Sequence, residues 1–257
     1  MNYLRIPFDP CNPGQYFACC GLLELFDMEG LKCESQFELD ERKPRHGHFH
    51  LRAQAQLNLA AVLDDLRTCS WKVVEHPDGA VKPLLFQLKR GDLLLDWWFD
   101  EFLERTRDLK CWAGQVTTEK LATELLPAMD SSVELEILFQ TPKMMKTKFG
   151  IDPRSAWNAL SVGFSPNVQG KDAATFPIVE LLGAIGLQGF RPNTNSRANV
   201  AINYWSSWLP RITARRAAIL PWAGLPTQTY AFQIEKRGQS YKYCTFASQV
   251  KGKSNEF

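Results

Sequence analysis

Several side chains in this 257-residue chain have the types and spacing to meet a sugar-phosphate backbone: Lys143, Lys146, Lys148, Arg154, Arg191, Asn193, Asn195, Arg197, Arg211, Arg215 and Arg216. The first four crowd together against a single acid, Asp152. The five later arginines fall between Glu180 and Glu235, a stretch with no Asp or Glu between its ends. Neutralising phosphates releases condensed counterions, so such a set predicts salt-sensitive binding of a polyanion. Arginine can also hold guanine through two hydrogen bonds, and interleaved asparagines can read base edges. The competing account is a solvated face, or ion pairs with acids elsewhere, and asparagine-rich loops are commonly just turn-forming.

Other residues invite other chemistry. His46, His48 and His50 alternate, so on a strand all three imidazoles face one way, as a metal site or a general base for RNA cleavage would need. Arg45, Phe49 and Arg52 among them suit an ordinary half-exposed strand instead, and cationic neighbours disfavour a metal. Asp64, Asp65, Asp96, Asp100 and Glu101 show no spacing that aims two carboxylates at one Mg²⁺; a solubilising face accounts for them. Gly183, Gly186 and Gly189 lie in or after an apolar helix, which is not the strand-to-helix context of a dinucleotide site. They read as close-packing positions. Trp157, Trp205, Trp208 and Trp222 could stack on unpaired bases, but core packing is the commoner fate of tryptophan. Trp97 and Trp98 would point to opposite faces of a strand, placing one of them in the core.

Periodicity predicts the elements that must position these groups. Tyr3–Asp9 alternates as a strand, a turn follows, and Gln15–Asp27 reads as a helix ended by Gly30. Phe37–Leu39 and His48–Ala55 read as strands, and Asn58 caps a helix over Leu59–Arg67. Val81–Leu88 and Asp92–Trp98 form a hairpin about Lys89-Arg90-Gly91. Thr118–Met129 is a helix, with Leu121, Leu125 and Met129 on one stripe, and Val133–Phe139 alternates as a strand. A Gly163–Asn167 turn precedes an apolar helix over Pro177–Leu187. Arg197–Trp205 is extended, and Ile212–Leu220 is helical with Arg215 and Arg216 on its wet side. Thr227–Glu235 and Tyr241–Ala247 make the clearest hairpin. Gln15–Leu25 and Phe176–Leu187 echo one another as small-residue helices, each suited to covering a sheet. The expectation is an α+β fold, largely antiparallel, with helices packed on one side.

The net charge of +2 averages two unlike halves. Residues 1–130 hold 15 Lys/Arg and 21 Asp/Glu, whereas residues 131–257 hold 15 and 7. An acidic α+β lobe over 1–130 and a basic one over 131–257, possible parts of one continuous domain, follow from that asymmetry. The seven cysteines include no CxxC pair, which removes zinc-ribbon and thioredoxin readings; reduced, buried thiols in the cytoplasm fit them. No apolar run approaches the roughly 20 residues of a membrane span, and MNYLRIPFDP lacks the build of a signal peptide.

Two stretches together carry a resemblance. Asn12-Pro13-Gly14-Gln15-Tyr16-Phe17-Ala18-Cys19-Cys20-Gly21-Leu22-Leu23-Glu24-Leu25 resembles the N-terminal signature of a subunit family of subtype I-G (formerly I-U) CRISPR systems. Its middle block is similar to Phe149-Gly150-Ile151-Asp152-Pro153-Arg154, Trp157, Gly163-Phe164-Ser165-Pro166-Asn167, Glu180-Leu181-Leu182 and Phe190-Arg191-Pro192, in the same order and spacing. The resemblance implies a large-subunit-type component of Cascade, the RNA-guided surveillance complex of antiviral defence. Such a subunit has no cofactor and no chemistry of its own. Its partners are crRNA, target DNA, the other Cascade subunits and a recruited helicase-nuclease, with no membrane. Base pairing would supply the sequence information while the protein contacts shape and backbone. The resemblance transfers no functional residue, so the sites above rest on charge and residue type. Two rivals stay open: a metal-independent, repeat-processing endoribonuclease acting through His46–His50, and a scaffold subunit that touches only protein.

Overall fold

Leu4, Ile6 and Phe8 turn inward from a strand, β1 (Tyr3–Phe8), whose other face bears Tyr3, Arg5 and Pro7. Helix α1 (Pro13–Met28) follows at once. The Asn12 side chain accepts the Gln15 amide at 3.2 Å, and Pro13 takes a first-turn position where its missing N–H is no loss. Gly30, at φ 74°, lies just past its end. The computed structural model describes residues 2–75, 82–100, 105–106, 109–112, 116–156, 172–197, 200–209, 211–213, 227–237 and 241–250.

In chain order there follow β2 (Glu34–Leu39), β3 (Gly47–Arg52), α2 (Leu59–Thr68), β4 (Ser70–Val73), β5 (Leu84–Leu88), β6 (Gly91–Leu95), β7 (Phe99–Asp100) and β8 (Arg105–Thr106). Helix α3 (Thr118–Ala128) and a 3-10 turn at Leu135–Ile137 lead to β9 (Lys143–Met145). A second 3-10 turn, Pro153–Ser155, precedes β10 (Ala173–Thr175) and α4 (Pro177–Gly189). The last strands are β11 (Asn193–Arg197), β12 (Val200–Trp208), β13 (Ile212–Thr213), β14 (Thr227–Arg237), β15 (Tyr241–Cys244) and β16 (Ser248–Gln249).

Strand pairing is antiparallel in every sheet. A four-stranded sheet runs β1-β3-β2-β13, and a five-stranded one runs β11-β12-β14-β15 with β16 also on β14. Three smaller sheets pair β4-β5-β6, β9-β10 and β7-β8. This is an α+β fold. Tyr16 of α1 links the two large sheets, stacking on Phe37 of β2 at 5.3 Å and on Trp205 of β12 at 5.0 Å. One continuous set of buried residues draws on both halves of the sequence, so position 130 marks a change of charge inside a single core.

The two small-residue helices pack directly on each other. A Cβ on Gly21 would lie 2.0 Å from the Leu182 carbonyl oxygen, and one on Gly186 would lie 1.9 Å from that of Phe17. Only glycine lets backbones approach so closely.

Three expectations differ from the structure. Val133–Phe139 is no strand: the Ile137 amide bonds back to Glu134 in the 3-10 turn, and Ile137 itself is exposed. Ile212 and Thr213 pair with Ser35 and Glu34 as a strand; the proposed helix beyond them lies outside the described residues. Trp97 and Trp98 are both fully buried, because they sit in a turn past β6 and together meet Trp112 and Phe149. Trp205 and Trp208 are core residues too, with Trp208 Nε1 donating to the Ser35 carbonyl at 3.1 Å. Trp157, Trp222 and the Gly163–Asn167 turn lie outside the described residues.

Candidate nucleic-acid interface

The middle basic block divides into two unlike pairs. Lys143, on β9, and Lys146, just after it, are exposed. Lys148 and Arg154 are not surface cations. Lys148 is 5% exposed and donates to the Ser155 carbonyl. Arg154 is held by Asp152, which is itself fully buried: Nη2 donates to Oδ2 at 2.6 Å and Nε to both oxygens at 3.1 Å. The same guanidinium donates to Gln140 Oε1 at 2.9 Å and the Phe139 carbonyl at 2.8 Å, and lies 3.5 Å from the centroid of Phe176. Its charge is paired with Asp152 and most of its donors are used within the protein. The expectation of phosphate contact at Lys148 and Arg154 is therefore corrected: they neutralise and cap a buried polar cluster.

That cluster joins the two stretches behind the family resemblance. Asn12 Nδ2 donates to Asp152 Oδ1 at 2.9 Å, while its own oxygen caps α1. A Cβ on Gly14 would come within 2.9 Å of Asp152 Cα, so the two loops touch backbone to backbone. From α4, Glu180 reaches the same place. Its carboxylate accepts the Gly150 amide at 2.8 Å, the Asp152 amide at 3.2 Å and the Ile151 amide at 3.4 Å. Gly150 adopts φ 84°, a left-handed conformation that glycine tolerates and that turns this run of amides inward. Burial, and then the negative charge of Asp152, push the Glu180 carboxyl up to about 7; the amide donors and Lys148 pull the other way. Neither Asn12 nor Glu180 stands out by residue type, and their 168-residue separation hides the contact from any local pattern.

The arginines after α4 occupy two further places. Arg191 is exposed and pairs with Asp96 at 3.3 Å, beside Gln188, whose side chain also binds Asp96 and the Trp97 amide. Asn193 is exposed at the start of β11, the edge strand of the five-stranded sheet; Asn195 and Arg197 lie farther along it, with side chains outside the description. Arg211 is exposed where the chain crosses from β12 to β13. Arg215 and Arg216, with Asn199, lie outside the described residues. The exposed basic residues of this set thus lie beside three different sheets, Lys143 and Lys146 at β9-β10, Arg191 shortly before β11, and Arg211 next to β13.

His48 and His50 share the outward face of β3, but His46 does not belong to the strand. The strand starts at Gly47 and His46 lies in the preceding turn. His50 uses both ring nitrogens, Nδ1 with the Tyr3 hydroxyl and Nε2 with Glu38 Oε2 at 2.7 Å. His48 Nδ1 meets Arg5 Nη2 at 3.0 Å; burial, and then the Arg5 charge, lower its pKa. Three of the five candidate acids have their own partners, while the Asp100 side chain and Glu101 lie outside the described residues. Asp64 binds Arg67 at 2.6 Å, Asp65 accepts the Lys89 amide at 3.1 Å, and Asp96 is held as above. Among the described residues no group of three or more His, Cys, Asp or Glu is placed to hold a metal ion, and no helix is long and apolar enough to cross a membrane. Compared with known proteins, the chain matches no family model, no curated protein and no solved structure.

Proposed function

We propose that this chain is a non-catalytic subunit of an RNA-guided CRISPR Cascade complex, binding crRNA and target DNA in antiviral defence. The observation behind the reading is the meeting of its two signature stretches. Asn12 and Asp152 lie 140 positions apart yet hydrogen-bond at 2.9 Å in a buried site that Glu180 and Arg154 complete. Motifs that are spread along a chain but interlock in space have a physical reason to occur together, which supports treating the resemblance as one of fold. For the nucleic-acid part, Lys143, Lys146 and Arg211 are exposed cations, Lys143 with its charge also felt by Asp130. Of the three histidines in the ribonuclease reading, His50 has both ring nitrogens engaged, by Tyr3 and Glu38.

The test is copurification with the neighbouring Cascade subunits, followed by crosslinking to labelled guide and target strands and a salt titration. The expected result is a crosslink to RNA or DNA, with affinity falling steeply between 50 and 200 mM salt, on the order of ten-fold or more. Lys143→Glu plus Lys146→Glu should weaken it. Assembly with no crosslink and no salt dependence would leave the protein-only scaffold standing in place of this proposal.

A further inference from the structure

The face of the four-stranded sheet turned away from the core carries polar and aromatic side chains. Its outward positions bring together residues from four distant parts of the chain. Strand β1 supplies Tyr3 and Arg5, β3 supplies His48, His50 and Arg52, and β2 supplies Glu34, Gln36 and Glu38. Arg211 arrives at the β13 edge and lines one shallow depression with Tyr3, Glu34, Gln36, His50 and Arg52. The opposite face of the same strands holds Leu4, Ile6, Phe8, Phe37, Phe49 and Leu51, all buried. The period-two alternation that builds the core therefore also sorts this polar and aromatic set onto one surface.

From this arrangement we infer that the outer face of the β1-β3-β2-β13 sheet is a docking platform for a single-stranded nucleic acid. The inference rests on the Cascade reading above and names the site within it. The ring of Tyr3 is braced on the sheet by His50, at 5.7 Å and 25° between planes, and by the Arg52 guanidinium 4.9 Å from its centroid. A fixed aromatic ring on an open sheet is a stacking partner for an unpaired base, and flanking guanidinium groups meet the phosphates on either side. A duplex keeps its base faces stacked, so the platform suits single strands.

Charge on the face is consistent with this occupant. Glu38 is shared between Arg5 at 3.4 Å and His50 at 2.7 Å, which neutralises it locally. Among the described residues Arg52 and Arg211 carry no ion pair, and the remaining carboxylate on the face is that of Glu34. Arg211 is the point at which the acid-free stretch reaches the N-terminal sheet, and with it the face holds three arginines, Arg5, Arg52 and Arg211, against two carboxylates, Glu34 and Glu38, although most of its strands lie in the acidic half of the sequence.

The test is fluorescence anisotropy of the full chain with a labelled 20-nucleotide RNA, a DNA of the same sequence, and the corresponding duplex. Either single strand should bind better than duplex, and the comparison of RNA with DNA shows which one the platform prefers. Tyr3→Ala should weaken single-strand binding by about 5- to 150-fold, the range of one lost stack, while Tyr3→Phe stays within about two-fold. Because Tyr3 is half-buried, the exposed pair Arg52→Gln plus Arg211→Gln is a second variant. It should flatten the slope of log affinity against log salt by about 1.4, two phosphate contacts on a single strand. Folded variants of both kinds that bind within two-fold of the parent would overturn the platform. If Lys143→Glu plus Lys146→Glu then abolishes binding, the platform alone is wrong and the Cascade reading survives; a parent chain that binds no nucleic acid sinks both.

Discussion

Replacing Arg154 by Ala separates a structural cation from a phosphate ligand. Asp152 has no exposure to water, and Arg154 is the cation that neutralises it, at 2.6 Å. Truncation would leave Asp152 with two donors, the Asn12 amide group and the Arg154 backbone N–H, each at 2.9 Å, with the Glu180 carboxyl nearby. Stripping one partner from a buried ion pair costs about 3–5 kcal/mol, because an uncompensated charge stays behind. The lost bonds to Gln140 and Phe139 belong to the same truncation. With an m-value of about 2–3 kcal/mol/M, the urea midpoint should fall by about 1–2 M. Lys143→Ala, at an exposed position, should stay within about 0.5 kcal/mol of the parent. Arg154→Met combined with Asp152→Asn, which removes both charges, should recover part of the loss, the signature of a coupled pair. The reasoning is refuted if Arg154→Ala leaves the midpoint within about 0.3 M while nucleic-acid affinity drops more than ten-fold. That outcome would put Arg154 at the phosphate.

Two further predictions concern the same core. The Glu180 carboxyl is held at about 7 in the folded protein against an ordinary value of 4.5, so the folded state binds a proton that the unfolded state releases between those values. Above pH 7 both states are ionised and the cost of the buried charge is fully present; it is relieved as pH falls toward 4.5. Between pH 8 and pH 5.5 this residue should add about 2 kcal/mol of stability to the parent that Glu180→Gln does not gain, read as a pH-dependent difference in urea midpoints. A difference that stays constant with pH would contradict it. Gly186→Ala should lose more than about 3 kcal/mol of stability or fail to fold, since its Cβ would fall 1.9 Å from the Phe17 carbonyl and only backbone movement could relieve that. Gly189→Ala, whose Cβ meets nothing nearer than 3.4 Å, is the control expected to lie within about 1 kcal/mol of the parent by thermal unfolding.

Much of the fold is legible wherever one face of an element is buried. The alternation of β1, the Asn58-capped α2 and the hairpin of β14 and β15 all follow from local pattern. Val133–Phe139 shows where pattern fails. Its alternation is as regular as that of β1, but the backbone closes locally between Glu134 and Ile137, leaving Ile137 outward and only Leu138 and Phe139 in the core. Alternation is necessary for a half-buried strand, not sufficient, because the partner strand is a tertiary fact. The candidate site was legible only in part for a related reason. Lys143, Lys146 and Arg211 are exposed as their charge suggests, whereas Lys148 and Arg154 look no different in sequence. Asp152 lies two residues from Arg154, but the 3-10 turn between them and the contacts from Asn12 and Glu180 turn that neighbour into a buried counter-ion.

The withdrawal of Lys148 and Arg154 changes what the charge of the C-terminal half means. Buried ion pairs contribute little net stability compared with apolar packing of the same volume, but they penalise any arrangement that leaves a partner behind. Here the penalty falls on three segments at once: the loop before α1, the Gly150–Arg154 turn and the first turn of α4. Gly21 and Gly186 fix the same two helices by contact, so the polar cluster and the glycine seam hold α1 and α4 in one register. A sheet resting on that pair through Tyr16, Phe37 and Phe49 is a rigid base. Rigidity matters for the outer face, because a stacking ring gains most when it loses no freedom on binding. If the proposed platform holds a single strand, the basic residues that went into the core serve it indirectly, by holding still the surface from which Tyr3, Arg52 and Arg211 project. This argument makes Arg154→Ala and Tyr3→Ala distinguishable: the first should lower stability, and the second should lower affinity in a chain that remains folded.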